Sequence, residues 1–399
     1  MVRHSAKSAS AGNRSPAARN PTGKGTGSNA GWGQPPWKID FHPPTRRLPR
    51  EVDFAIAGGG FTGLAAAAWL RRLAPQARVA VFEAGTVGAG SSGHTGGIVL
   101  GETAAGDLPG LGDVLEGYPR ILRALRVDAD LALDGAYELS HQPGLPESPI
   151  AWTDSGNLRV AGEVPGGSVD PGKVVSGLAR AAERLGARIF EKSPVEGFAS
   201  GKRVRMLVRG AEVRARGALV ATNALSLELS GLAGHAQPKF TLAVATEPLS
   251  QSQLKAVGLA ARKPFYTVDL PYLWGRLLPS DQVVFGSGLV HLDDWRELTG
   301  IDIAKGEPAA LMARLIARVR GLHPALRRVE FTHRWGGPML IGEDWQPVFA
   351  RHPRSPRVLV LGAYSGHGVA LSVYLGCWAA EALLGRKRLP RWRQEQGAR

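Results

Sequence analysis

The run Val52-Asp53-Phe54-Ala55-Ile56-Ala57-Gly58-Gly59-Gly60-Phe61-Thr62-Gly63 is the stretch on which the fold reading turns. A short apolar run enters a glycine cluster, and residues 64–73 continue with helix-forming composition. The spacing Gly58-x-Gly60-x-x-Gly63 between a strand and a helix has a physical logic. The first glycine permits a tight turn, the second lets backbone approach a pyrophosphate, and the third lets the helix pack closely on the strand. The phosphates then sit at the positive end of the helix. Phe61 and Thr62, at the helix start, are candidate contacts as well. Residues 77–82 form a second apolar run that ends at Glu83, 20 residues beyond Gly63, followed by Ala84. An acid there binds a ribose hydroxyl and repels a 2′-phosphate, so NADP is disfavoured. FAD and NAD both stay open on this motif alone.

A Gly/Ser-rich segment, residues 85–97, follows the acid and is too long for a simple turn, as expected of a ligand loop. Residues 173–185 have helical spacing and lead through Gly186 into a strand over 187–190. Strand-like runs recur at 204–208, 212–213 and 218–221. Residues 358–361 (VLVL) form another buried strand, entering a glycine turn and a long apolar helix over 369–384. Dinucleotide-type strands therefore occur early, in the middle and late in the chain. This predicts an α/β cofactor domain assembled from residues 50–105, 166–230 and 340–385, with a substrate domain from 106–165 and 231–339 inserted between its parts.

The chain of 399 residues, 44% hydrophobic and 21% charged, has the composition of a globular protein. No stretch approaches the roughly 18 uninterrupted apolar residues of a membrane span. The N-terminus lacks an apolar core of the secretory type, and one cysteine, Cys377, excludes an internal disulfide or a cysteine zinc cage. A cytoplasmic location is the expectation. The net charge of +15 is concentrated at the ends: residues 1–38 hold six Lys/Arg and no acid, and residues 386–399 hold six against Glu395. Both segments are expected to be disordered basic tails, and nucleic acid is disfavoured as a partner.

Three further segments carry a resemblance. Gly90-Ser-Ser-Gly-His-Thr-Gly-Gly97, Ala221-Thr222-Asn223-Ala224 and Gly362-Ala-Tyr-Ser-Gly-His-Gly-Val369 resemble, in this order after the first motif, FAD-contacting segments of the D-amino-acid oxidase-like flavoprotein superfamily. The nearest pattern is the gamma-glutamylputrescine oxidoreductase branch, beside glycine and sarcosine oxidases. The likeness implies a Rossmann-like FAD-binding domain of the GR2 type with an inserted mixed-sheet α+β substrate domain. It implies FAD contacts from Ser91, Ser92, His94, Thr95, Gly96 and Gly97, from Val195, from Ala221, Thr222 and Asn223, from Gly336, and from Ser365, Gly366, His367, Gly368 and Val369. FAD is expected to be non-covalent, with a covalent link through His94 as the alternative, and no metal is called for.

On the substrate side, the run from Tyr272 through Arg276 to Gly286 resembles the family's strand pair over the flavin, and Trp335-Gly336-Gly337 its tryptophan–glycine turn. The resemblance makes Arg276 a candidate partner for a carboxylate or polar tail, and Tyr272 and Trp335 candidate walls of the pocket. The positions that hold the carboxylate in sarcosine-type oxidases correspond to Leu100 and Ala370, which bind no anion. The lysine assisting oxygen corresponds to Val284. The expected activity is hydride transfer from a small amine or amino acid to the flavin, followed by imine hydrolysis, with O2 or a carrier as electron acceptor. Sarcosine itself is disfavoured. The alternatives are an NAD-linked Rossmann dehydrogenase and a tRNA-modifying flavoprotein.

Overall fold

The computed structural model describes residues 30–142, 144–145 and 147–392. Two eight-stranded sheets organise them. In the first, five parallel strands lie in the order Ser355–Gly362, Ala211–Val220, Glu51–Ala57, Val79–Phe82, Arg188–Phe190. Val348–His352 pairs antiparallel at one edge, and Val204–Val208 and Val195–Ala199 extend from Ala211–Val220. The strand expected in two pieces at 212–213 and 218–221 is one continuous element, Ala211–Val220. From Glu51–Ala57 the chain first builds outward on one side and then on the other. The strand order thus reverses between Glu51–Ala57 and Ala211–Val220, and such a reversal opens a crevice beyond the strands' carboxyl ends. The Gly58 turn lies there.

Helix Phe61–Leu73 covers this sheet beside the final helix, Gly368–Leu383. Its buried run Ala65 to Ala68 presents small side chains, and a Cβ on Gly376 would stand 2.6 Å from Thr62 O. The two helices therefore cross closely only because both faces are small.

The second sheet runs Phe331–Gly342, Ala236–Pro248, Gln282–His291, Trp274–Leu277, Phe265–Thr267, Ala136–Ser140, Gly156–Val164, Ala151–Asp154. Its one parallel pair is Phe265–Thr267 with Ala136–Ser140. Helix Gly306–Leu322 packs on it through Met312, Leu315, Val319 and Leu322. A short pair, Ile98–Leu100 with Gly166–Ser168, lies apart from both sheets. Residues 114–124, expected as part of the inserted segment 106–165, form a helix, Val114–Ala124, whose Val114, Tyr118, Ile121 and Leu122 join the core around the final helix. Its amphipathic face finds an apolar surface on Tyr374, whose ring fills the space a Cβ on Gly117 would need.

The tails need a larger correction. Two tryptophans of the stretch 31–38 are packed: Trp32 is 1% exposed and donates its indole N–H to Leu298 O, and Trp37 donates to Gly93 O. Each such ring buries on the order of 150–250 Å2, roughly 4–6 kcal/mol before ordering entropy is subtracted. At the other end Trp392 is buried, its N–H on Pro347 O, and Trp378 donates to Arg388 O. A tail-wide average of Gly, Pro, Ser and Arg conceals these anchors. Residues 1–29 and 393–399 lie outside the described residues. Among the described residues no helix is long and apolar enough to cross a membrane.

Candidate active site

A cavity of about 440 Å3 takes its walls from both sheets, starting at the strand-order reversal. At that end the glycines stand where a side chain would collide with neighbouring atoms. Gly58 has φ +108°, and a Cβ on it would lie 2.5 Å from Ala221 O. A Cβ on Gly60 would meet Ser92 Oγ at 2.7 Å. Gly63 does not border the cavity; a Cβ there would strike Gly58 O at 2.0 Å, so it sets the helix–turn packing. Phe61 and Thr62 line the cavity at the helix start, and Phe61 N–H donates to Ser92 Oγ at 3.0 Å. Glu83 accepts from Gly59 N–H at 2.7 Å and from Gly85 N–H at 2.8 Å, bracing the turn against the loop behind it. Burial raises its pKa, and these N–H donors oppose the rise. Ala84 and Val195 border the same end.

The loop at 90–97 contains a single helical turn, Ser91–His94, pinned on several sides. Ser91 Oγ donates to Pro338 O at 2.7 Å and accepts from Asn223 Nδ2 at 3.2 Å. Asn223 Oδ1 in turn accepts Ala363 N–H at 3.0 Å, tying the loop to the turn before the final helix. His94 Nδ1 donates to Gly90 O at 2.9 Å, and burial lowers the ring's pKa, which favours the neutral imidazole. Ser91, Ser92, His94, Thr95, Gly96, Ala221, Thr222 and Asn223 all line the cavity.

Ser365, Gly366, His367, Gly368 and Val369 line the cavity from the start of the 16-residue final helix. No side chain caps that start, so its first N–H groups and the positive end of the helix are left to a ligand. Burial also lowers the pKa of His367. Two buried hydroxyls in the lining, Thr222 Oγ1 and Ser372 Oγ, have no hydrogen-bond partner among the described residues. Unpaired buried hydroxyls are unfavourable. Together with glycines that keep side chains out of the crevice and two helix starts aimed at it, they fit a bound dinucleotide.

Besides Gly63, four expected residues sit outside the lining. Arg276 is 3% exposed and outside the lining: its Nε donates to Gly96 O and its guanidinium lies 5.6 Å from the Trp37 ring centroid. Burial brings its pKa down to about 10. It braces the loop from behind and is not a substrate anchor. Trp335 is fully buried, donates to His94 O at 3.0 Å and meets Trp37 edge-on, so it also supports the loop and does not wall the pocket. Gly336 packs on Phe240, and its neighbour Gly337 faces the cavity against His94. Gly97, φ +78°, turns the chain behind the lining. Tyr272 is half exposed at the rim of the cavity.

Of the positions taken from sarcosine-type oxidases, Leu100 lines the cavity, whereas Ala370 and Val284 are buried outside it. Sequence reasoning missed Trp274, whose ring is flanked by Gly96 and Gly286, and Tyr266, whose hydroxyl donates to Glu138 at 2.9 Å. Glycines set against a tryptophan at a strand crossing were the available signal. Among the described residues no lysine or arginine lines the cavity.

The comparisons follow this geometry. A probable oxidoreductase OrdL of Haemophilus influenzae is 26% identical over 397 residues, 87% of this chain and 86% of the relative. The gamma-glutamylputrescine oxidoreductase of Escherichia coli is 24% identical, with 84% of each chain covered. Among solved structures, glycine oxidase from Geobacillus kaustophilus superposes with TM-score 0.67 at 19% identity, over 85% of this chain and 96% of that one. L-proline dehydrogenase from P. horikoshii gives 0.65 at 18% identity, over 88% and 99%. The family model "FAD dependent oxidoreductase" matches residues 53–382. That span takes in the Gly58 turn, the loop at 90–97 and the final helix together, so an NAD-linked dehydrogenase is not favoured. The chain belongs to the DAO family of FAD-dependent oxidoreductases, and FAD is its cofactor.

Proposed function

We propose that the protein oxidises a C–N bond in a small amine, with the first sheet holding FAD and the second furnishing the substrate end. The observation that carries this reading is the continuous cavity from the Gly58 turn to Tyr266, Tyr272 and Trp274, to whose lining no lysine or arginine among the described residues contributes. A carboxylate next to the reacting bond would enter unpaired, which is unfavourable by several kcal/mol. With Arg276 withdrawn behind the loop, a distal carboxylate has no partner there either. Two acids stand near that end: Glu138 accepts from Tyr266, and Glu102, its pKa raised by burial and by Glu138 and Asp107, acts on the same tyrosine. The names of two relatives, gamma-glutamylputrescine oxidoreductase and glycine oxidase, support C–N oxidation.

When bound, FAD supplies the hydride acceptor, and water then hydrolyses the imine product to a carbonyl compound and an amine or ammonia. The chain's own part is placement. The aromatic groups pack the substrate carbon, and burial of His94 and His367 disfavours positive charge on their rings next to the amine. The uncapped start of the final helix borders the cavity, and its positive end would stabilise negative charge on a reduced flavin held there. FAD is held without a covalent bond in this reading, and O2 or a carrier reoxidises it. Anaerobic mixing with primary amines, sarcosine and glycine tests the proposal: amines bleach the flavin fastest, whereas fastest bleaching by sarcosine or glycine contradicts it.

A further inference from the structure

Arg318 stands on helix Gly306–Leu322, outside the cavity, with its side chain 16% exposed. Its five N–H groups are matched to five acceptors. Nε and Nη2 donate to Asp154 at 3.0 and 2.5 Å, Nη1 donates to Tyr272 O at 2.6 Å and Ser287 Oγ at 2.9 Å, and Nη2 also donates to Pro271 O at 2.8 Å. Ser287 Oγ itself donates to Tyr272 O at 2.5 Å. Asp154 continues to His141, whose Nδ1 lies 2.7 Å from Asp269 Oδ1, and Asp269 also accepts from Ser140 Oγ and His141 N–H. The segment 269–272 is thus gripped at Asp269, Pro271 and Tyr272 by polar groups.

Apolar burial contributes little to holding that segment. Val268 is 51% exposed, Leu270 74% and Tyr272 48%. Tyr272 and Ser287 nevertheless line the cavity. A planar guanidinium with every donor engaged fixes its partners rigidly, whereas a lysine ammonium has three donors on a flexible stem and cannot reproduce the pattern. The helix carrying Arg318 keeps its own buried anchors, Met312, Leu315, Val319 and Leu322, without that side chain.

We propose that Arg318 is a positioning residue: through Tyr272 and Ser287 it fixes the rim of the cavity and thereby sets which amines enter well. This rests on the reading of that end as the substrate end. The test uses FAD-loaded protein carrying Arg318→Ala or Arg318→Lys, with steady-state kinetics on a length series of primary amines and amide hydrogen exchange over residues 266–273. In Arg318→Ala, KM should rise about tenfold for the best amine, kcat should stay within about twofold, and discrimination by length should flatten. Arg318→Lys should fall between, FAD per chain should not change, and exchange should quicken at 266–273 but not at 61–73. Unchanged KM and ranking overturn the proposal; so does a parallel loss of FAD and kcat, the mark of a merely structural residue. If Arg318→Ala does not fold, Ser287→Ala, which removes one bond to the rim, is expected to raise KM in the same direction, and no change refutes the idea. Wild-type protein that no amine bleaches defeats the amine reading alone. The exchange data still decide on Arg318, because unchanged exchange at 266–273 shows that it does not hold the rim.

Discussion

Trp37 donates its indole N–H to the carbonyl oxygen of Gly93 across 2.8 Å, joining the N-terminal segment to the loop that lines the FAD crevice. The same ring packs against the Arg276 guanidinium and meets Trp335 edge-on, and both of those residues bond to the loop's own carbonyls. Trp37→Ala should therefore cost about 3–5 kcal/mol of stability and loosen FAD, while Trp37→Phe should cost about 1 kcal/mol for the lost hydrogen bond. Thermal unfolding and FAD titration of the apoprotein check this. Removal of residues 1–38 should be more damaging than Trp37→Ala, because it also takes away Trp32, contrary to what a disordered tail would give.

Glu83 joins Gly59 to Gly85 through its two carboxylate oxygens. Glu83→Ala removes that brace and the ribose partner together, so FAD affinity should fall roughly 10- to 100-fold, the equivalent of about 1–3 kcal/mol. Fluorescence titration of apoprotein with FAD measures it, and an unchanged dissociation constant would take Glu83 out of the site.

Gly96 has no room for a side chain: a Cβ there would lie 2.2 Å from the Trp274 ring. Gly96→Ala must push Trp274 into the cavity or move the loop, at about 1–3 kcal/mol for overpacking. The expected outcome is a lower melting temperature with a higher KM for amines, measured on FAD-loaded protein. A normal KM would show that Trp274 does not shape the substrate end.

His352 is 3% exposed, stacks edge-on against Phe198, and accepts Arg354 N–H at Nδ1. Burial, then the nearby Arg354 charge, takes its pKa down to about 4. A folded-state pKa below the unfolded value of about 6.5 means the fold favours the neutral ring. Its contribution is complete above that value and is lost as pH falls through about 4. Chemical denaturation across this window should show the wild type losing stability more steeply than His352→Gln, and parallel curves would contradict the assignment.

Legibility of the sequence followed chain distance. The Gly58 turn, Glu83 and the Gly366–Gly368 turn were readable because each function is set by neighbours within one strand–turn–helix unit. Arg276 was misread because its partner Gly96 is 180 residues away and its stacking partner, Trp37, sits in a segment whose composition reads as disordered. Trp335 was misplaced for the same reason: the packing of Trp37 turns it toward His94 O. The Arg318 grip left no local pattern at all, since its acceptors come from two strands and a loop of the second sheet.

The central claim is that this FAD-bearing chain oxidises amines, and anaerobic stopped-flow absorbance at about 450 nm on the purified protein tests it most directly. The account predicts about one FAD per chain, set by one Gly58–Glu83 crevice, and loss of the flavin band on mixing with a primary amine, faster than with sarcosine or glycine. A preparation that binds no FAD, or a flavin that no amine reduces, would contradict it.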